Sequence, residues 1–216
     1  MIFNVDNENL NQTESYKERN LYYKIFAGYL FNELIPGKDQ RTTDFLHLLA
    51  DTLNITERFR GDKDHILGII NAINSQPVHV TFDYHSAQVI KAHKKDDRGE
   101  MSDVLLLTES HFISVECKFL EDMEFKKDVR AVQERIREVS AKLKRIPLQA
   151  LLMTERKWNN SKTRNNKKDS FYMKFQKENV DIPVVVLFWD EVASLITDEK
   201  VKNYLKRQIE RKKIKD

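Results

Sequence analysis

The sequence predicts an α/β fold in which helices flank a mixed central β-sheet. Strict alternation from Phe112 to Phe119 marks a half-buried strand that pairs with the short apolar run before it. Apolar residues at Phe125, Val129, Val132, Ile136, Val139 and Leu143 recur at the spacing of a helix that lays one stripe on a sheet. Two more Val- and Leu-rich runs, Leu148 to Thr154 and Ile182 to Trp189, are short enough for buried strands.

In chain order, a polar arm reaches about Asn20, and a helix-forming stretch from Leu21 to Ile35 is ended by Pro36-Gly37. Aromatic residues cover more than one stripe of that helix, so it is expected to be buried on two sides, either among elements of its own chain or at a subunit interface. The chain divides into an N-terminal arm and helical extension packed on the core (1–60) and a sheet-bearing domain (61–216). Helices are expected at Thr43 to Leu53 and Asp64 to Asn74. Alternating Val78, Val80, Phe82 and Tyr84 predict a strand at Val78 to His85.

Asp103 to Thr108 is the first arm of a hairpin whose tight loop lies around Thr108 to His111. A two- or four-residue loop sets Leu107 opposite Phe112, Leu105 opposite Ser114 and Asp103 opposite Glu116, with the two acids roughly 5 Å apart at Cβ. A loop of three or five would break that register. Phe112, Ser114, Glu116 and Lys118 then share one face, and Ile113, Val115, Cys117 and Phe119 the other.

The amphipathic helix is expected over Glu121 to Arg145. Lys126, Lys127, Arg130, Arg135, Arg137, Lys142 and Lys144 occupy its other faces, as a solvated surface or as cations for a phosphate backbone. Arg156 to Ser170, with six cations and one acid, reads as a long polar loop between the last two strands. Lys162, Arg164, Lys167, Lys168 and Trp158 in it suit contacts to phosphate, base or sugar, and plain disorder is the alternative. A basic helix from Asp198 to Lys215 closes the chain.

Like charges opposite each other destabilise a sheet, so Asp103 and Glu116 call for a shared proton or a cation. Mg²⁺ suits hard oxygen ligands and completes its shell with water and phosphate oxygens. Such an ion polarises a phosphoryl group and acidifies a bound water, and Lys118 is placed to position that water or steady the developing charge.

A net charge of +3 is mild, and the cations cluster after Lys118, so a nucleic-acid footprint would be local. The single Cys117 sits on the face opposite the carboxylates and reads as a packed thiol. The histidines at 47, 65, 79, 85, 93 and 111 lack zinc-binding spacing, although His85 and His93 precede the acidic hairpin. There is no glycine-rich phosphate loop, serine nucleophile elbow, long apolar span or secretory signal, and a cytoplasmic location is expected.

Asp103, twelve residues, then Glu116-Cys117-Lys118, set between hydrophobic strands, resembles the PD-(D/E)xK nuclease superfamily. Ser102 stands where that family often has proline. The resemblance implies a restriction-endonuclease-like fold, metal held by Asp103, Glu116 and the main-chain carbonyl of Cys117, and Lys118 assisting the attacking water. It also implies a further acid from the helix before the first strand. Asp64 is the candidate and Glu57 its rival, although an acid at a helix start is also a cap. Gln133 is similar to a glutamine of some exonuclease branches, but Arg137 stands where their tyrosine would follow.

The expected function is therefore a Mg²⁺-dependent DNA endonuclease of restriction or defence type, with Mn²⁺ as a substitute ion; the same chemistry on RNA or branched DNA is a third possibility. A homodimer would present two active sites to a duplex. The alternative is a catalytically inactive nucleic-acid-binding or assembly protein that keeps the fold.

Overall fold

The computed structural model describes residues 40–85, 100–119, 122–163 and 170–213. The polar arm, the aromatic helix at Leu21 to Ile35, His93, Arg164, Lys167 and Lys168 lie outside them. The sheet has six strands in the order β1-β6-β5-β4-β3-β2. These are β1 (Phe59–Arg60), β2 (His79–His85), β3 (Glu100–Leu107), β4 (His111–Cys117), β5 (Ile146–Met153) and β6 (Val184–Phe188). The β4–β5 and β5–β6 pairs are parallel and the others antiparallel, which makes the sheet mixed, as expected.

The helices are α1 (Gln40–Thr52), α2 (Lys63–Asn74), α3 (Ala131–Leu143), α4 (Glu155–Thr163), α5 (Phe171–Lys177), α6 (Trp189–Leu195) and α7 (Glu199–Lys213). One face of the sheet, carrying Val104, Leu106, Ile113, Val115 and Cys117, packs with α1, α2, α6 and α7 around Phe45, Leu49, Ile66, Ile70 and Trp189. The other face carries Leu105, Phe112, Leu151 and Met153 and packs with α3, α4 and α5. Alternation along β4 is what lets one strand feed two cores.

Two expectations are corrected here. The amphipathic helix begins later than Glu121: Phe125–Arg130 form a π-helical turn, and the α-helix follows from Ala131. Arg156 to Ser170 is not one long loop, because Glu155–Thr163 is helical and Trp158 is buried beneath it against Phe171, Tyr172, Phe175 and Phe188. An indole held there cannot stack on a base. Phe45, Leu46, Leu49 and Leu53, within the first sixty residues, share the core of α2 and the sheet.

The short β1 joins β6 through Phe59↔Val185 and Arg60↔Val184. Gly61 then turns the chain with φ +113° while Pro183 lies 3.1 Å from where a Cβ would stand, so only glycine fits that turn. Asp62, not Asp64, caps α2, its Oδ1 accepting the His65 N–H at 2.7 Å. Among the described residues no helix is long and apolar enough to cross a membrane.

Candidate functional site

The hairpin adopts the register expected from its loop. Leu107 pairs with Phe112, Leu106 with Ile113, Leu105 with Ser114 and Val104 with Val115. Thr108 closes the turn, its N–H donating to the His111 carbonyl at 2.9 Å. Asp103 and Glu116 come next on their strands, just past the last paired residues. There the Asp103 carboxylate leaves the ladder pattern and accepts the Cys117 N–H at 2.6 Å. Ser102, where the resembled family often has proline, is buried with its hydroxyl on the Val104 carbonyl.

Lys118 is held at both ends. Its N–H donates to the Leu152 carbonyl at 2.8 Å, and its carbonyl accepts from the Trp189 indole at 3.2 Å. The ammonium lies 3.2 Å from Glu116 Oε1 and 3.9 Å from Asp128 Oδ1. The three side chains are largely withdrawn from solvent, at 15% exposure for Lys118, 14% for Glu116 and 3% for Asp128.

Burial in a cluster this acidic dictates the protonation pattern. Loss of hydration, reinforced by the Asp103 charge, pushes the Glu116 carboxyl up to about 8 even with Lys118 beside it. Burial raises the Asp128 carboxyl as well, against the opposing pull of the Glu124 N–H and Lys118. For Lys118, desolvation works toward the neutral amine, but Glu116, Asp128 and Asp103 outweigh it and keep the ammonium charged.

The residues present fit a divalent cation. Asp103 and Glu116 offer hard oxygen donors, and the repulsion that raises Glu116 is what such a charge would relieve. Among the described residues no three His, Cys, Asp or Glu side chains are arranged to hold a metal by themselves. Water and substrate phosphate oxygens would have to complete the shell. The Cys117 side chain is core, 3% exposed, while its carbonyl belongs to the peptide that joins it to Lys118.

The other candidates are not brought to this point. Asp64 is exposed in the first turn of α2, a helix that packs on the opposite face of the sheet. Glu57 is spent elsewhere, in an ion pair with Lys162 and a 3.2 Å hydrogen bond from the Tyr172 hydroxyl, and Lys162 holds its carboxyl below the usual range. Lys162 is thereby tied to Glu57 at the α4–α5 corner. Gln133 is buried, donating to the Ile182 carbonyl at 2.8 Å and accepting the Asp181 N–H at 3.1 Å, so it acts as a strut for the approach to β6.

Asp128 is the member of the cluster that sequence reasoning missed. The signal was there: 128 falls on the apolar stripe between Phe125 and Val129, where a charged residue is out of place unless it has a buried partner. No known protein family, curated protein or solved structure matches the chain.

Proposed function

We propose that this protein is a metal-dependent nuclease, a DNA endonuclease of restriction or defence type, acting at Asp103, Glu116 and Lys118. The observation that carries the reading is the buried group of carboxylates gathered about one ammonium where β3 and β4 part. An excess of buried carboxylate is relieved by a proton or by a cation, and carboxyls perturbed by burial and like charge cluster at functional sites.

Asp103 and Glu116 would hold a divalent ion, which when bound supplies Lewis-acid polarisation of a phosphoryl oxygen and a more acidic water. Lys118, kept charged by the carboxylates around it in the metal-free site, would donate hydrogen bonds to the attacking water or to a phosphate oxygen. The test is cleavage of supercoiled plasmid, linear duplex, single-stranded DNA and RNA with Mg²⁺ or Mn²⁺. Asp103→Asn is the informative comparison, because the amide oxygen can still accept the Cys117 N–H. Wild-type cutting that disappears in this variant, with the melting temperature little changed, is the expected result. A wild type that cuts nothing and gains no stability from either ion would move the choice to the non-cleaving binding protein.

Lys162 is paired with Glu57, and Arg164, Lys167 and Lys168 lie outside the described residues, so among those described the basic surface next to the site is the π-helical turn. Lys126 and Lys127 are exposed on it, next to Asp128, and Lys127 is close enough to act on that carboxylate. Arg130 at the end of that turn and Arg137 on α3 are paired with Glu178 and Asp181. Replacing Lys126 and Lys127 together by Ala should weaken DNA binding and reduce the slope of log K against log salt by about 1 to 2. Fluorescence anisotropy across a salt series measures it, and an unchanged slope would remove this turn from the contact surface.

A further inference from the structure

Asp128 comes to the site from outside the hairpin, and its burial is built rather than incidental. A carboxylate at 3% side-chain exposure is costly unless it is paired and hydrogen-bonded. Its Oδ2 accepts the Glu124 N–H at 2.6 Å while Oδ1 faces the Lys118 ammonium. The main chain is pinned as well: the Asp128 N–H donates to the Glu124 carbonyl at 2.7 Å, and the Asp128 carbonyl accepts from Gln149 Nε2 at 2.9 Å. Gln149 is itself fully buried on β5 and accepts from Gln133 at 3.3 Å. Two buried amides thus set the position of the wide π-helical turn, a geometry found mostly where a side chain must be aimed.

Lys118 has Glu116 as its nearer partner, at 3.2 Å. That partner is the one a divalent ion would take, and the ion would also repel the ammonium. An ammonium pushed from Glu116 by the ion is held beside the reacting phosphate best by a fixed carboxylate that the ion does not take. Resting on the nuclease reading above, we propose that Asp128 is a positioning residue: it is the counter-charge that keeps the Lys118 ammonium in the site when Glu116 is engaged by metal.

The test uses Asp128→Asn, which keeps the shape and can keep the bond from the Glu124 N–H while removing the charge. At saturating Mg²⁺, kcat should fall about ten- to a hundredfold, with KM for DNA and the half-saturating Mg²⁺ concentration within about twofold of wild type. In a Lys118→Ala background the same change should cost nothing further. An unaltered kcat, or an equal loss in the Lys118→Ala background, would overturn the assignment. Should Asp128→Asn fail to fold, Asp128→Glu keeps the charge and must retain kcat within about tenfold, and a larger loss in a folded chain would also overturn it. A wild type that cuts no substrate would sink the nuclease reading and this inference together. Wild-type cutting with an unimpaired Asp128→Asn would sink this inference alone.

Discussion

Glu116→Gln will abolish cleavage, by about a thousandfold or more, and will raise the melting temperature of the metal-free protein at neutral and alkaline pH. The two effects have one cause. In the fold, burial and the Asp103 charge lift this carboxyl from 4.5 to about 8, so between those values the folded state binds a proton that the unfolded state has released. Stability of the metal-free protein therefore falls as pH rises through that window. The penalty is absent below about 4.5 and complete above about 8, where it is on the order of a few kcal/mol. Gln, neutral throughout, removes it, and Lys118 keeps Asp128 and Asp103 as counter-charges. The gap in melting temperature should open with rising pH in EDTA and narrow when Mg²⁺ is added, because the ion favours the ionised carboxylate. Calorimetry in two buffers should show proton release on Mg²⁺ binding near neutral pH. A Glu116→Gln protein less stable than wild type at pH 8 without metal would mean that the carboxylate is structural.

The hairpin was legible because a period of two and a tight loop determine both register and face; one residue of slip would have moved Ile113, Val115 and Cys117 to the other face of the sheet. Alternation alone therefore assigns Glu116 and Lys118 to one side. The stripe from Phe125 to Val139 was legible for a similar reason, but its first turn was not. A π-helical turn inserts a residue per turn without any change in composition, and here long-range bonds from Gln149 and the Lys118 charge stabilise it. Asp128 could be suspected from its place on the stripe, but its partner could not.

Arg156 to Thr163 reads wrongly as a loop for the opposite reason. Its composition is polar, yet Trp158 and Ser161 are buried, and two of its cations have partners far away in sequence: Lys157 lies 3.3 Å from Asp122, and Lys162 pairs with Glu57. Composition reports the solvent side of a helix as readily as it reports a loop. Likewise β1, two residues long, carries no periodicity at all, and what makes it a strand is the buried arginine beside it.

Replacing that arginine, Arg58→Met, should destabilise the protein by about 3–5 kcal/mol, lowering the melting temperature by on the order of 10 °C. Arg58 is 3% exposed, and its guanidinium makes two 2.6 Å bonds to the Glu191 carboxylate. Nε and Nη2 also reach the Val186 carbonyl, at 3.0 and 2.8 Å, and the group lies 3.9 Å from the Phe188 ring centroid. Glu191 in turn accepts the Phe188 N–H at 2.9 Å, so one guanidinium ties the turn before β1 to the end of β6 and the start of α6. Methionine fills the volume but leaves a carboxylate and a carbonyl without their donors, and those losses, not the cavity, dominate the cost. Lysine should fare little better, since a point charge cannot span both acceptors. Because the breakage exposes a stranded carboxylate, the double variant Arg58→Met with Glu191→Gln should recover part of the stability. Neither change touches Asp103, Glu116, Lys118 or Asp128, so kcat measured well below the melting transition should stay within about twofold of wild type. A melting temperature unmoved by Arg58→Met would mean that water replaces the lost donors, and the β1 edge would then need another explanation for its pairing.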